Sequence, residues 1–303
     1  MAIFVMKDDY ILYQQHVMWY ESEIVKDSLD SLENALKHTK LRIRIKICLN
    51  GQTYIETPNE NINQINLLKE IANHPVLKCA EIVYKTNEDP FYNIGDWRRD
   101  VYDPNAKYTI WGESDCIMPV DFLYTLEKFF ADTTPHVISL ASRKMWDDTW
   151  LSVEHVNLRK YTHRKNTVNR FLPKKMYLSD IITQQELDDY NNMFENIDIE
   201  KSGTVKIDGA LLGISGGLSE LFIPLDMHFA REDTCLENFC IIKKIPQYVI
   251  ATRIKGHNYH SPKKRINTTS TRDDAVYKIE EKKSKDAMER FTEKLIESLK
   301  KNL

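Results

Sequence analysis

Three short motifs carry most of the side chains able to do chemistry. The first is the run YTIWGESDCIMP, in which an apolar stretch leads into Glu113-Ser114-Asp115 and then Pro119. Two carboxylates at i and i+2 just past a strand can hold a hard divalent cation, and such a cation bridges two phosphates. Open α/β sheets bind their ligands at the carboxyl ends of strands, which is where these acids fall. The second motif is MHFAREDTCLENF, where Glu232-Asp233 opens a helical pattern whose apolar positions are Leu236, Phe239 and Cys240. Acids in a first helical turn complement the helix dipole. A carboxylate fixed there also suits a general base that faces a ligand crevice. The third is KGHNYHSPKKR, with His257 and His260 beside Lys263, Lys264 and Arg265. An imidazole can complete a metal's coordination, and the cations can neutralise a diphosphate leaving group.

Such motifs need a scaffold, and the hydrophobic periodicity supplies one. Residues 19–37 carry Val25, Leu29, Leu32 and Leu36 at steps of 4, 3 and 4, which predicts an amphipathic helix. LRIRIKICL follows with strict alternation and ends in Asn50-Gly51, a strand and a turn. NINQINLLKEIAN predicts a helix, CAEIVYKT a strand, KYTIW a strand, PVDFLYTLEKFF a helix with Pro119 in its first turn, and HVISLAS a strand. The alternation points to an α/β domain with a mainly parallel sheet, its first half spanning residues 1–142. LRIRIKICL departs from the continuous apolar run of a central parallel strand, so one of its faces is expected to be wet.

Residues 143–207 lack that rhythm and are expected to form an insertion over the sheet's working edge. Residues 208–265, with the Gly-rich DGALLGISGGLSELF, the helix LENFCII and the strand QYVIATRI, complete the domain. In the tail, 266–303, Met288, Phe291, Leu295 and Leu299 mark an amphipathic helix. Such a helix packs on the body, on a second subunit or on an anionic membrane surface, and packing on the body is the plainest of these.

Composition excludes several classes. The 303 residues are 42% hydrophobic and 29% charged, which describes a soluble globular chain and not a disordered or fibrous one. No apolar run approaches a membrane span, and the N-terminus lacks a signal core. Five cysteines without a C-x-x-C pair disfavour a disulfide framework or zinc ribbon and fit a reducing cytoplasm. The net charge of −3 hides an asymmetry: residues 242–303 hold 16 Lys/Arg against 8 Asp/Glu, and the remainder 26 against 37. A second basic stretch carries Arg159, Lys160, Arg164, Lys165, Arg170, Lys174 and Lys175 around Tyr161 and Phe171. It is either a solvated loop or a contact for a phosphate backbone.

Taken in order, the helix KDSLDSLENAL, the arginine-bearing NIGDWRRDVYDPNAKYTIWGESD, the Gly-rich segment with its E-D helix, and the late GHNYH resemble the GT-A glycosyltransferases, particularly the family 2-like, nucleotide-sugar-dependent ones. The likeness runs from about residue 10 to 262, with the middle insertion unmatched. It implies a GT-A, Rossmann-like fold and a sugar moved from a nucleotide-diphosphate donor, a UDP-sugar, to an acceptor hydroxyl. By the same resemblance, Asp115 is a ligand of Mn²⁺ or Mg²⁺ on the donor diphosphate. Glu113 stands where the family has aspartate and meets the donor ribose or metal-bound water. Asp233 is the base that deprotonates the acceptor, Glu232 positions acceptor or sugar, and His257 or His260 is the late metal ligand. Arg98 or Arg99 meets the donor's phosphate or sugar, and Lys263 lies in the cationic loop. The early nucleotide-pocket aspartate has no counterpart in YILYQQHVMWY or LNGQTY. Inversion in a single displacement is the preferred outcome, since no second nucleophile stands out.

Two other classes compete with this reading. A nucleotidyltransferase would resemble a Gly-rich loop with a basic residue after the first strand, which this N-terminus lacks. A catalytically inactive GT-A-like binding module would not need Glu113, Asp115, Asp233 and both histidines together. As acceptor, a glycan or glycolipid stands ahead of hydroxymethylated bases in DNA, for which Tyr161, Phe171, Trp146 and Trp150 would supply stacking surfaces.

Overall fold

The computed structural model describes residues 8–22, 25–52, 68–89, 91–129, 134–140, 151–153, 184–192, 196–201, 209–216, 218, 222–250, 253, 256–258 and 275–301. The long strand β1 (Asp8–Met18) runs through the main sheet, with β2 (Arg42–Asn50) parallel on one side and β4 (Ala106–Glu113) parallel on the other. β3 (Glu81–Lys85) extends parallel from β2 to an edge. Past β4 the pattern changes. β9 (Leu211–Ser215) is antiparallel to both β4 and β6 (Val137–Leu140), and β10 (Gln247–Ile250) is parallel to β6. The short β8 (Ile199–Lys201) closes the far edge antiparallel to β10, so the order is β3-β2-β1-β4-β9-β6-β10-β8. β5 (Cys116–Ile117), β7 (Leu151–Val153) and β11 (Gly256–Asn258) form a separate antiparallel sheet in the order β5-β11-β7.

The α/β expectation holds, with two refinements. The Gly-rich stretch contains a central antiparallel strand, β9. Its Gly213 is there for space, since a Cβ would stand 3.2 Å from Ile138 Cγ2 and 3.3 Å from Tyr108 Cδ1. Within the stretch expected to overlie the sheet, 199–201 joins the sheet itself, while α4 (Gln184–Asn191) is helical.

Alternation along β1 feeds one core and a small cluster of Tyr10 and Leu12 with Ala106. Ile11, Tyr13 and Val17 pack under α1 (Val25–Leu36) and α3 (Phe122–Phe129), whose Val25, Leu29, Leu32, Phe122, Leu123 and Leu126 are buried. The other face holds α2 (Ile94–Asp100), α5 (Glu232–Ile242) and α6 (Ala275–Lys301). There Trp111, Leu212 and Ile214 meet Leu236, Phe239, Ala287 and Leu295. α6 therefore packs on the body, through Met288 and Phe291 as well, while Leu299 at its end is exposed.

The helix expected over 19–37 starts later. Trp19–Glu21 is a 3-10 turn closed by the Met18 N–H donating to Glu21 Oε2 at 2.8 Å. Pro119 likewise precedes α3, its carbonyl accepting the Phe122 N–H at 3.1 Å. The wet face of β2 is real: the Arg42 and Arg44 guanidiniums stand 5.6 and 4.0 Å over the Tyr10 ring, while Ile47 to Asn50 are fully buried. Among the described residues no helix is long and apolar enough to cross a membrane. The basic stretch 159–175, Trp146 and Trp150, and residues 259–274 with His260, Lys263, Lys264 and Arg265, lie outside the described residues.

Candidate functional site

From β1 the chain passes through α1 to β2 and β3 on one side, then crosses through α2 to β4 on the other. A sheet whose strand order reverses in this way opens a crevice at the carboxyl ends of the two flanking strands. Those ends bring His16 on β1 opposite Glu113 on β4. The turn Glu113-Ser114-Asp115 then joins β4 to β5, with Asp115 2% exposed and the Glu113 side chain 21% exposed.

α1 pins this turn. Ser28 Oγ donates to the Glu113 carbonyl at 3.2 Å and accepts from Gln15 Nε2 at 2.9 Å. Ser31 Oγ accepts the Met118 N–H at 3.0 Å. The two serines of KDSLDSL thus sit buried between the leucines because each closes a hydrogen bond to the loop after β4. Gly112 leaves room for the Tyr13 ring, whose hydroxyl would lie 2.3 Å from a Cβ at 112. A backbone anchored at both serines holds the acids in fixed directions, as a metal or base site requires.

A buried ion-pair cluster connects three elements. Arg98 of α2 is 1% exposed, and its Nη1 donates to Glu232 Oε1 at 2.5 Å. Nη2 approaches Glu113 Oε1 at 3.8 Å and donates to the Gly209 carbonyl at 3.4 Å. The guanidinium carbon lies 4.2 Å over the Trp111 ring. Burial pushes the Glu232 carboxyl above the usual carboxylate range, Arg98 opposes that, and Asp233 and Glu113 reinforce it. His16 is held neutral: burial, aided by the Arg98 charge, lowers it to about 3, and its Nε2 lies 3.1 Å from Asn50 Nδ2. Arg99 faces away from the crevice. Its Nη1 donates to the Pro224 and Met227 carbonyls at 2.7 and 3.3 Å, and its Nη2 donates to Asp96 at 2.5 Å.

Glu232 and Asp233 begin α5 beyond a sharp turn in which Ala230 (φ 58°) and Arg231 (φ 69°) are both left-handed. Non-glycine residues rarely hold that geometry, and where they do it usually serves a site. The half-buried Asp233 accepts the Thr234 N–H at 2.6 Å through Oδ1. Gly209 lies against it, since a Cβ there would stand 2.6 Å from Asp233 Cβ and 3.3 Å from Oδ2. Both carboxylates lie in the first turn of α5, where the helix dipole favours negative charge.

The late histidine strand closes on the same place. β11 pairs with β5 so that His257 is the partner of Cys116 and Gly256 of Ile117. The backbone thereby sets His257 beside the residue that follows Asp115. The Asp115 carboxylate supplies a hard oxygen donor of the kind Mn²⁺ or Mg²⁺ takes. Among the described residues, the group with three ligand atoms within 4.8 Å of one another is Asp30, Glu33 and His74, on the outside of α1. There His74 Nδ1 accepts the Val76 N–H at 3.3 Å, so its proton sits on Nε2, 2.8 Å from Asp30 Oδ1. His74 is thus a turn cap hydrogen-bonded to Asp30.

The structure thus gathers Glu113, Arg98, Glu232 and Asp233, with Asp115 at the same turn and His257 by strand register. His16 and Asn50 join them at the same strand ends. The sequence signal for His16 is the polar run Gln14-Gln15-His16 inside an otherwise apolar strand.

No family model matches the chain, and no curated protein matches it. Among solved structures, TarS of S. aureus superposes with a TM-score of 0.43 at 10% identity, over 91% of this chain and 69% of that one. The bifunctional glycosyltransferase WbbM superposes with a TM-score of 0.32 at 9% identity, over 88% of this chain and 38% of that one.

Proposed function

We propose that the chain is a glycosyltransferase that moves a sugar from a nucleoside-diphosphate donor, a UDP-sugar, to an acceptor hydroxyl with inversion. One observation carries this reading. The acids of the E-S-D turn, the E-D pair of α5 and the backbone of the late histidine meet at the crevice where the strand order reverses. The motif order that resembles the GT-A enzymes thereby has a spatial counterpart.

Each residue has a role that follows from its environment. Arg98 neutralises Glu232 and draws Glu113 toward it, which fixes two carboxylates that would otherwise repel. Asp233, half-buried on the rigid first turn of α5, takes the acceptor's proton as the hydroxyl oxygen attacks the anomeric carbon. The bond from that carbon to the diphosphate oxygen breaks on the opposite face, and the diphosphate leaves with the electron pair. Asp115 and His257 would hold Mn²⁺ or Mg²⁺, which when bound supplies charge neutralisation for the diphosphate. His16, neutral and hydrogen-bonded to Asn50, presents an uncharged polar edge to the donor. The acceptor is taken to be a glycan or glycolipid, with hydroxymethylated DNA as the competing substrate.

The test is transfer from a panel of nucleotide sugars, scored on glycan, glycolipid and hydroxymethylated-DNA acceptors. Asp233→Asn is expected to lower transfer by about 10²-fold or more while donor affinity stays within twofold. A fully active Asp233→Asn variant removes the base from the scheme.

A further inference from the structure

The turn that delivers Glu232 and Asp233 is gripped from two sides. On one side α2 holds it: the Gly95 N–H donates to the His228 carbonyl at 2.9 Å, and His228 Nδ1 meets Asp96 Oδ1 at 2.7 Å. A Cβ at Gly95 would stand 2.5 Å from the Met227 carbonyl oxygen, so the two backbones are in direct contact. On the other side lies α6. Ser284 Oγ, fully buried, accepts the Phe229 N–H at 3.0 Å, and the Tyr277 ring meets the Phe229 ring edge-on at 4.1 Å. Glu281 pairs with Arg231 at 3.6 Å and Arg290 with Asp226 at 2.5 Å. On α5 itself, Asn238 Nδ2 donates to Thr292 Oγ1 at 3.2 Å.

Between the two grips stand Ala230 and Arg231, both left-handed without being glycine. Each such residue disfavours its conformation by about tenfold or more, so the turn holds only if its surroundings over-determine it. α2 fixes the chain as far as His228. Beyond that residue, α6 supplies side-chain contacts on Phe229 and Arg231. The ion pairs Arg231–Glu281 and Arg290–Asp226 are solvent-exposed and contribute little. Ser284 and Tyr277 are the effective contacts.

We infer that α6 is a positioning clamp, in which Ser284 and Tyr277 hold the left-handed turn Ala230–Arg231 so that Glu232 meets Arg98 and Asp233 faces the crevice. The link to catalysis rests on the transfer reading above; the clamp itself does not. The residues act through the turn and touch no substrate.

The experiment uses the full chain as Ser284→Ala, as Ser284→Ala/Tyr277→Ala, and as that double variant with Arg231→Gly added. Two readouts are taken: hydrogen exchange over residues 226–240, and kcat with donor KM for nucleotide-sugar turnover. In the double variant, exchange at the Cys235 amide, which bonds the Arg231 carbonyl at 2.9 Å, is expected to rise about tenfold. The value of kcat falls about tenfold while KM stays within twofold. Arg231→Gly restores both, because glycine takes a positive φ without strain. Ser284→Ala alone, which leaves the core filled, shifts both in the same direction by about threefold and serves if the double variant does not fold. Unchanged exchange, or a loss that Arg231→Gly leaves in place, would reduce α6 to ordinary packing and overturn the clamp. If the wild-type chain turns over no nucleotide sugar, exchange alone decides the clamp, and the failure belongs to the transfer reading.

Discussion

Arg98 is the most exacting residue of the site to perturb. Its guanidinium is 1% exposed and Glu232 is 6% exposed, so Arg98→Met leaves a carboxylate in a dry interior with its cation gone. Removing one partner of such a pair costs about 3–5 kcal/mol. For a chain of this size that corresponds to a fall of roughly 10 °C in melting temperature. The deficit must depend on pH. Burial already raises the folded-state pKa of Glu232, with Arg98 as the opposing cause, so the variant raises it further. A carboxyl raised in the folded state contributes stability that is fully present below its unfolded value and lost as pH rises through its folded one. The Arg98→Met deficit is therefore smaller at pH 5 than at pH 8, and Glu232→Gln in the same chain recovers most of it. Urea unfolding followed by circular dichroism at both pH values, with the four chains of the double-mutant cycle, measures this directly. Equal deficits at pH 5 and pH 8, or additive effects of the two substitutions, would refute the reasoning.

Two further outcomes follow from the same geometry. His16 is lowered to about 3 by burial and by the Arg98 charge, so its stabilising contribution is present above pH 6.5 and lost as pH falls toward 3. Acid titration of stability is expected to fall by up to about 1.4 kcal/mol per pH unit across that window, and His16→Gln flattens the slope. Gly209→Ala places a Cβ 2.6 Å from Asp233 Cβ, so transfer is expected to drop on the order of a hundredfold while UDP affinity, read by calorimetry, holds within twofold.

The sequence made the alternating elements and the acidic turn legible because periodicity and carboxylate spacing are local properties. Leu29 and Leu32 had to face inward, and E-S-D had to follow a buried strand. What it left unread depends on contacts far along the chain. The Gly-rich segment gave no sign of β9, because Gly213 answers to Ile138 and Tyr108, which no local pattern reveals. Arg98 and Arg99 are adjacent and chemically alike, and only the packing of α2 turns one toward Glu232 and the other toward Pro224 and Met227. Likewise the pairing of His257 with Cys116 is a matter of strand register, which no local pattern reveals. His16 shows in the sequence only as the end of a polar run, and that its imidazole is buried and neutral follows from the packing around it.

The most direct measurement is calorimetric titration of UDP into the wild-type chain and into Asp115→Asn, each with Mn²⁺ and again with EDTA. The account predicts binding to the wild-type chain that depends on Mn²⁺ and is lost in Asp115→Asn. UDP binding that is indifferent to metal and to Asp115, or no binding of UDP, GDP, CMP or dTDP under any of these conditions, would contradict it.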